Sequence, residues 1–190
     1  MRVISGTAGG LQLKAPKSPL LRPIQDKVKG ALFSMLGDKI FDVKILDLFS
    51  GVGSLGIEAL SRGAKSITFV ERDRQIANFL KQNLIHTKFQ EQAQIVQQDV
   101  FTFLKNSPTP YSLIFATPPY QKNMKQADEA EQFHQNLFHA IAPWLAPEGW
   151  FILEYFTALS PKKLVPFEIL RQKNYGETGI LILQIRHQTI

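Results

Sequence analysis

Three carboxylates, a glycine cluster and a Thr-Pro-Pro-Tyr run are the parts of this chain with the means to do chemistry. Asp47, Glu71 and Asp99 each follow a short apolar run. Phe49, Gly51, Gly53 and Gly56 complete the string D-x-F-x-G-x-G-x-x-G behind the first of them. Glycines let a backbone approach a ligand closely, and a helix opening after them offers free N–H groups. Further on stand Thr117, Pro118, Pro119 and Tyr120. A proline has a carbonyl but no N–H, and the residue before it is held extended. Such a turn presents acceptors with few competing donors, which suits an exocyclic amine. Tyr120 adds a flat face on which a base can stack.

The ligand can be narrowed. Residues 51–56 match the dinucleotide pattern G-x-G-x-x-G, a weak signal alone. A loop for NAD wants a pyrophosphate at the helix N-terminus and an uninterrupted apolar strand before the first glycine. Asp47 stands there instead, and a carboxylate favours a cation. S-adenosylmethionine, with its sulfonium and ammonium, is the better candidate. Glu71 follows the next strand at the place where an acid holds ribose hydroxyls; it could equally be an N-terminal acid of the next helix. Asp99, with Val100, ends the third strand beside the same pocket and could accept from an adenine amino group. Its alternative use is as a helix N-cap.

The elements that must position these groups follow from periodicity. Residues 44–48, 66–70, 93–97 and 111–116 read as strands. Leu55, Ala59 and Leu60 mark one helix face, and Ile76, Leu80 and Leu84 another. Strands alternating with helices predict a mostly parallel sheet covered on both sides. Apolar runs at 150–155, 167–172 and 179–186 supply three more strands. Ahead of all this, residues 2–5 and 11–14 form a hairpin-like pattern around Thr7-Ala8-Gly9-Gly10, and residues 15–23 a proline-punctuated connector. Asp26–Leu36 reads as an amphipathic helix with Val28, Leu32 and Met35 inward and Lys27 and Lys29 outward.

Composition excludes several classes. With 44% hydrophobic and 20% charged residues the chain is an ordinary globular one, and without cysteine it has neither disulfides nor thiolate metal sites. His86, His134, His139 and His187 show no metal-ligand spacing, so no metal is expected. No apolar run could span a bilayer and no secretory signal opens the chain, which makes a cytoplasmic protein without membrane contact the expectation. Of the 22 Lys and Arg, eight fall in residues 1–44, against three of the 16 acids. A basic arm on a near-neutral body reads as a phosphate-binding surface, with Arg2, Arg22, Lys27 and Lys29 as its RNA contacts. A solubilising tail is the alternative. A monomer is expected.

The glycine and proline motifs, in this order and spacing, resemble a class I S-adenosylmethionine-dependent methyltransferase of the amino-methylating kind. The flanks are narrower. Arg22-Pro23, Asp26-Lys27-Val28-Lys29 and Ala31-Leu32-Phe33, then D-L-F-S-G-V-G-S-L-G-I-E-A-L-S-R-G-A, resemble the RsmD family, as does R-Q-K-x-Y-G-E-T at 171–178. That family comprises the bacterial 16S ribosomal RNA guanine-N2 methyltransferases. The resemblance implies an α/β fold: a Rossmann-like seven-stranded, mostly parallel sheet with its last strand antiparallel, plus a small N-terminal hairpin and helix. It implies an RNA-contacting extension at 1–42 and a catalytic domain at 43–190. Asp47, Phe49, Gly51, Gly53 and Gly56 would line S-adenosylmethionine, Glu71 would hold its ribose, and Asp99 and Val100 its adenine. Residues 117–120 would hold a flipped guanine of small-subunit RNA, naked or in an assembled subunit.

The chain departs from the family at Thr117, where Asp is usual, and at Ile24 and Gln25, where threonines are usual. Three other readings stand beside this one: a methyltransferase for an adenine amine or a protein glutamine, a non-catalytic RNA-binding homologue, and an NAD-dependent enzyme. The basic arm speaks against a peptide substrate, and Asp47 against NAD.

Overall fold

The computed structural model describes residues 1–16, 24–119 and 127–186. Arg22, Pro23, Tyr120 and His187 lie outside them. The strands are β1 (Lys44–Leu48), β2 (Ser66–Val70), β3 (Ala93–Val96), β4 (Tyr111–Ala116), β5 (Leu145–Phe156), β6 (Phe167–Tyr175) and β7 (Thr178–Ile185). They form one seven-stranded sheet in the order β3-β2-β1-β4-β5-β7-β6. The pairs from β3 to β5 are parallel, and β7 runs antiparallel between β5 and β6. This is the expected Rossmann-like sheet with an antiparallel last strand.

The helices are α1 (Asp26–Leu36), α2 (Ser54–Ser61), α3 (Arg74–Thr87), α4 (Val100–Phe103) and α5 (Ala127–Ile141). Two cores result. Leu32 and Phe33 of α1, Ile57 of α2 and Leu80 of α3 pack with Ile45, Phe69 and Phe115 on one sheet face. Leu137, Phe138 and Ile141 of α5 pack with Leu46, Leu48 and Phe151 on the other. Burial on both faces explains why β4 reads as an apolar run from Leu113 to Ala116, and why β1 is apolar from Ile45 to Leu48 save for Asp47. His134 of α5 is buried and stacks on Phe138 of this second core; burial pushes its pKa down to about 4, so it stays neutral.

The N-terminal arm joins the first core. Val3, Ala8 and Leu13 are buried there, and the bridge Arg2–Gln12 closes the expected hairpin-like turn. What fixes it is Glu58, a fully buried carboxylate on α2. Its oxygens accept from Ile4 N at 2.6 Å, Ser5 N at 3.1 Å and Arg62 Nε at 2.7 Å. Lys29 Nζ stands 3.5 Å away. The outward placement of Lys29 is thereby corrected: it is fully buried, donating also to Arg2 O at 2.6 Å and Ser54 Oγ at 3.3 Å. Buried charge must be paired, and Glu58 supplies the partner. Burial lowers the Lys29 pKa, while Glu58 and Asp26 pull it back up.

Removing one member of a buried pair leaves the other uncompensated, at a cost of about 3–5 kcal/mol. Glu58→Gln should lower the stability read from urea unfolding by that amount and make the arm the first target of limited proteolysis. A loss below about 1 kcal/mol, typical of a surface pair, would show that the junction carries little.

Candidate active site

The sheet reverses its order of connection between β1 and β4, and there the loops after the two strands diverge. Such a switch point, at the carboxyl ends of parallel strands, is where open α/β sheets bind ligands. Leu48 pairs with Val70 on one side and Ala116 on the other. The residues that follow these three strand ends are Phe49, Glu71 and Thr117, so the fold brings three of the predicted groups to one edge.

The glycine loop is fixed by its own backbone bonds. Ser50 N donates to Val70 O at 3.1 Å and Gly53 N to Ser50 O at 2.9 Å. Gly51 N donates to Glu71 Oε2 at 2.9 Å, and Val52 O accepts from Asn83 Nδ2 at 3.0 Å. Gly51 and Gly53 hold φ of 55° and 86°, the left-handed region that glycine enters without penalty. Phe49 does the same with a side chain, at φ 56°. Strain of this kind gathers at functional sites.

Gly56 is corrected. It sits inside α2 facing the sheet, where an added Cβ would meet the Phe69 ring at 2.2 Å and Asp47 Oδ2 at 2.9 Å. Its smallness lets α2 lie close on β1 and β2. Gly53 is packed too, with the Leu80 side chain 2.4 Å from a Cβ built on it.

Asp47 lies beneath the loop, 1% exposed. Its Oδ2 accepts from Gly56 N at 3.1 Å, while Oδ1 has no partner among the described residues. Burial pushes its pKa up to about 8; the Gly56 N–H opposes the shift and the charge of Glu71 adds to it. A buried carboxyl with an unpaired oxygen, under a loop with fixed backbone, fits a cationic ligand above it. Glu71 accepts from Gly51 N and, through Oε1, from Asp73 N at 2.9 Å. Asp73, not Glu71, caps α3, accepting from Gln75 N and Ile76 N. Glu71 is thus left half-buried at the loop.

Asp99 caps α4, accepting from Thr102 N at 3.1 Å. Val100 turns its side chain into the second core, so any contact it makes with a ligand is through its backbone. Thr117, half-buried, donates its hydroxyl to Phe49 O at 3.3 Å, and its N–H to Leu48 O at 3.4 Å. Pro118 is half-buried and Pro119 exposed beside it. Sequence reasoning missed the aromatic wall next to this edge. Phe133 of α5 stands 6.3 Å from Phe49 and 5.6 Å from Phe101, ring centroid to centroid. Phe101 and Phe133, with Asp128, Glu129, Gln132 and Asn136, line a cleft of about 560 Å³.

Of the predicted RNA contacts, Lys27 is exposed and Arg2 pairs with Asp26 at 3.0 Å on the surface. Lys29, being buried, cannot meet a phosphate.

If a cation binds above Asp47, it favours the ionised carboxyl, which below pH 8 holds a proton in the free chain. Binding at pH 7 should release a proton, and affinity for S-adenosylmethionine should rise with pH up to about 8 and then level. Calorimetry in buffers of different ionisation heat measures this. Asp47→Asn should abolish the release; the same release from that variant would place the proton elsewhere.

The family model described as conserved hypothetical protein 95 matches residues 1–184. The ribosomal RNA small subunit methyltransferase D of Escherichia coli K12 is 39% identical over 124 residues, 65% of this chain. That match spans 62% of the relative's own length. The protein of the same name from Haemophilus influenzae is 37% identical over 168 residues, 81% of this chain and 86% of that one. The solved structure of Escherichia coli yhhF superposes with a TM-score of 0.83 at 30% identity, covering 99% of each chain. The chain belongs to the conserved hypothetical protein 95 family, which is the RsmD family that its arm, glycine loop and late Tyr-Gly-Glu-Thr segment resemble.

Proposed function

We propose that this chain transfers a methyl group from S-adenosylmethionine to the exocyclic N2 amine of a guanine in small-subunit ribosomal RNA. The observation that carries this is the meeting of the glycine loop and the Thr117–Pro118 acceptors at the switch between β1 and β4. The relatives named above support the substrate: both carry the name of a small-subunit ribosomal RNA methyltransferase. Residues 1–42 act as the RNA-contacting extension of a catalytic body at 43–190, working in the cytoplasm.

When bound, S-adenosylmethionine supplies an activated methyl group on a positively charged sulfur. Gly51 and Gly53 bring the loop backbone close, Glu71 holds the ribose, and the orphaned Asp47 oxygen answers the positive charge. Asp99 uses one oxygen as a cap, and its other oxygen remains for an adenine amine. The Phe101–Phe133 wall offers apolar contact to a flat ring.

The substitution of Thr for Asp at 117 has a geometric answer. A hydroxyl has one proton to give and two lone pairs. Thr117 gives its proton to the Phe49 carbonyl, which leaves the oxygen's lone pairs to accept. Together with the Pro118 carbonyl it can take both hydrogens of an amine and turn the nitrogen lone pair outward. Positioning and electrostatics then supply the acceleration. The proton that the amine loses passes to water, since a hydroxyl is too weak a base to keep it.

Thr117→Val keeps the shape and removes the acceptor. It should slow turnover on small subunits or their RNA by about 10²–10³-fold, about 2.7–4 kcal/mol, with cofactor affinity unchanged. Thr117→Ser, which keeps the hydroxyl, should stay within a few fold of the unaltered chain in a labelled-methyl assay. Equal activity of the valine variant would remove Thr117 from the mechanism. Activity only on adenine-bearing or glutamine-bearing substrates would overturn the guanine assignment.

A further inference from the structure

Asn83 lies in the middle of α3, fully buried, and nothing in the glycine or proline motifs points to it. Its Oδ1 accepts from Lys14 N at 2.8 Å, and its Nδ2 donates to Lys14 O at 2.9 Å. The amide thus pairs with the arm as a neighbouring strand would. The second hydrogen of Nδ2 goes to Val52 O at 3.0 Å, between Gly51 and Gly53. One planar group therefore ties the end of the N-terminal arm to the centre of the glycine loop.

The other anchors of the loop lie within it or at the ends of the neighbouring strands β2 and β4. Ser50, Gly51 and Gly53 bond within the loop or to β2 and the residue after it. Val52 is tied outward instead, through a side chain whose other two bonds depend on where the arm lies. A buried amide left without its partners keeps its full desolvation cost. The arm cannot lift from Asn83 without that cost, and an unpaired Asn83 is free to leave Val52. Glu58 fixes the other end of the arm to α2, the helix that the same loop opens. Arm and loop share two rigid joints.

Resting on the methyltransferase reading, we propose that Asn83 is a positioning residue through which the seating of the N-terminal arm sets the shape of the cofactor loop, so that RNA on the arm and cofactor in the loop bind cooperatively. Coupling of this kind is reciprocal: whatever factor RNA adds to cofactor affinity, cofactor adds to RNA affinity.

The test uses the full chain, with S-adenosylhomocysteine titrated by calorimetry well below each variant's unfolding temperature. Asn83→Ala should weaken binding at least about fivefold, the lower end of ordinary coupling. Lys14→Pro removes the N–H that Asn83 accepts and should weaken binding in the same direction, although Lys14 belongs to the arm. The double variant should be no worse than Asn83→Ala alone, as for two residues acting through one contact. Lys14→Ala, which keeps the backbone bonds, should bind like the unaltered chain. A fragment of small-subunit RNA should tighten binding to the unaltered chain and not to Asn83→Ala. Unchanged affinity in Asn83→Ala with a lowered unfolding temperature would make it a structural staple only. Unchanged affinity in Lys14→Pro, or RNA that tightens both proteins equally, would remove the arm from the coupling. Each result overturns the proposal. If the unaltered chain binds no S-adenosylhomocysteine at all, the methyltransferase reading falls first and this inference with it.

Discussion

Four donors converge on the Glu58 carboxylate, and the protein's working parts are held in relation by that convergence. Two are backbone N–H groups of the arm, one is the Arg62 guanidinium a turn along α2, and one is the Lys29 ammonium from α1. Isolated in an apolar interior, a carboxylate would cost far more than any single bond returns. Surrounded by donors from three segments, it compels those segments to keep their places. Ser61, one turn further along α2, repeats the device with neutral groups, donating to Ser5 O and accepting from Ala8 N. The arm is therefore part of the body that carries the glycine loop, and part of its basic charge is internal.

That rigidity suits the proposed methyl transfer, in which little covalent chemistry falls to the protein. The nitrogen, the methyl carbon and the sulfur must be brought into line, and the means available are fixed acceptors and fixed backbone. The loop after β1 is anchored at Ser50, Gly51, Val52 and Gly53. The turn after β4 is anchored to it by the Thr117 hydroxyl on Phe49 O. Phe49 is the hinge of this arrangement: its left-handed backbone aims the carbonyl at Thr117, while its ring meets Phe133. Loop, acceptor and aromatic wall thus share one residue.

Much of this was legible in the sequence, for stated reasons. Strands buried on both faces write themselves as apolar runs, so β1, β2 and β4 fall where periodicity places them. Helix α1 follows its amphipathic pattern, yet Lys29 turns inward because its partner Glu58 is far along the chain. A signal existed: Glu58 interrupts the apolar run L-G-I-E-A-L, and a lone acid there asks for a buried cation. The spacing of Gly56 fits the loop motif, yet it lies in α2, where helix–sheet packing requires a glycine. Asp99 shows the cap that its position before Val100 allowed. Asn83 and Phe133 carried no signal, since an amide or an aromatic on a helix acquires its role only from what the fold lays against it.

Methylation of a small-subunit RNA guanine by this chain can be read by mass mapping of that RNA from cells with and without the chain. One guanine-containing fragment should be lighter by one methyl group when the chain is missing, and the purified chain with S-adenosylmethionine should restore it on the unmodified subunit or its RNA. Identical maps from the two cells, with no methyl group added by the purified chain, would contradict the proposed methylation.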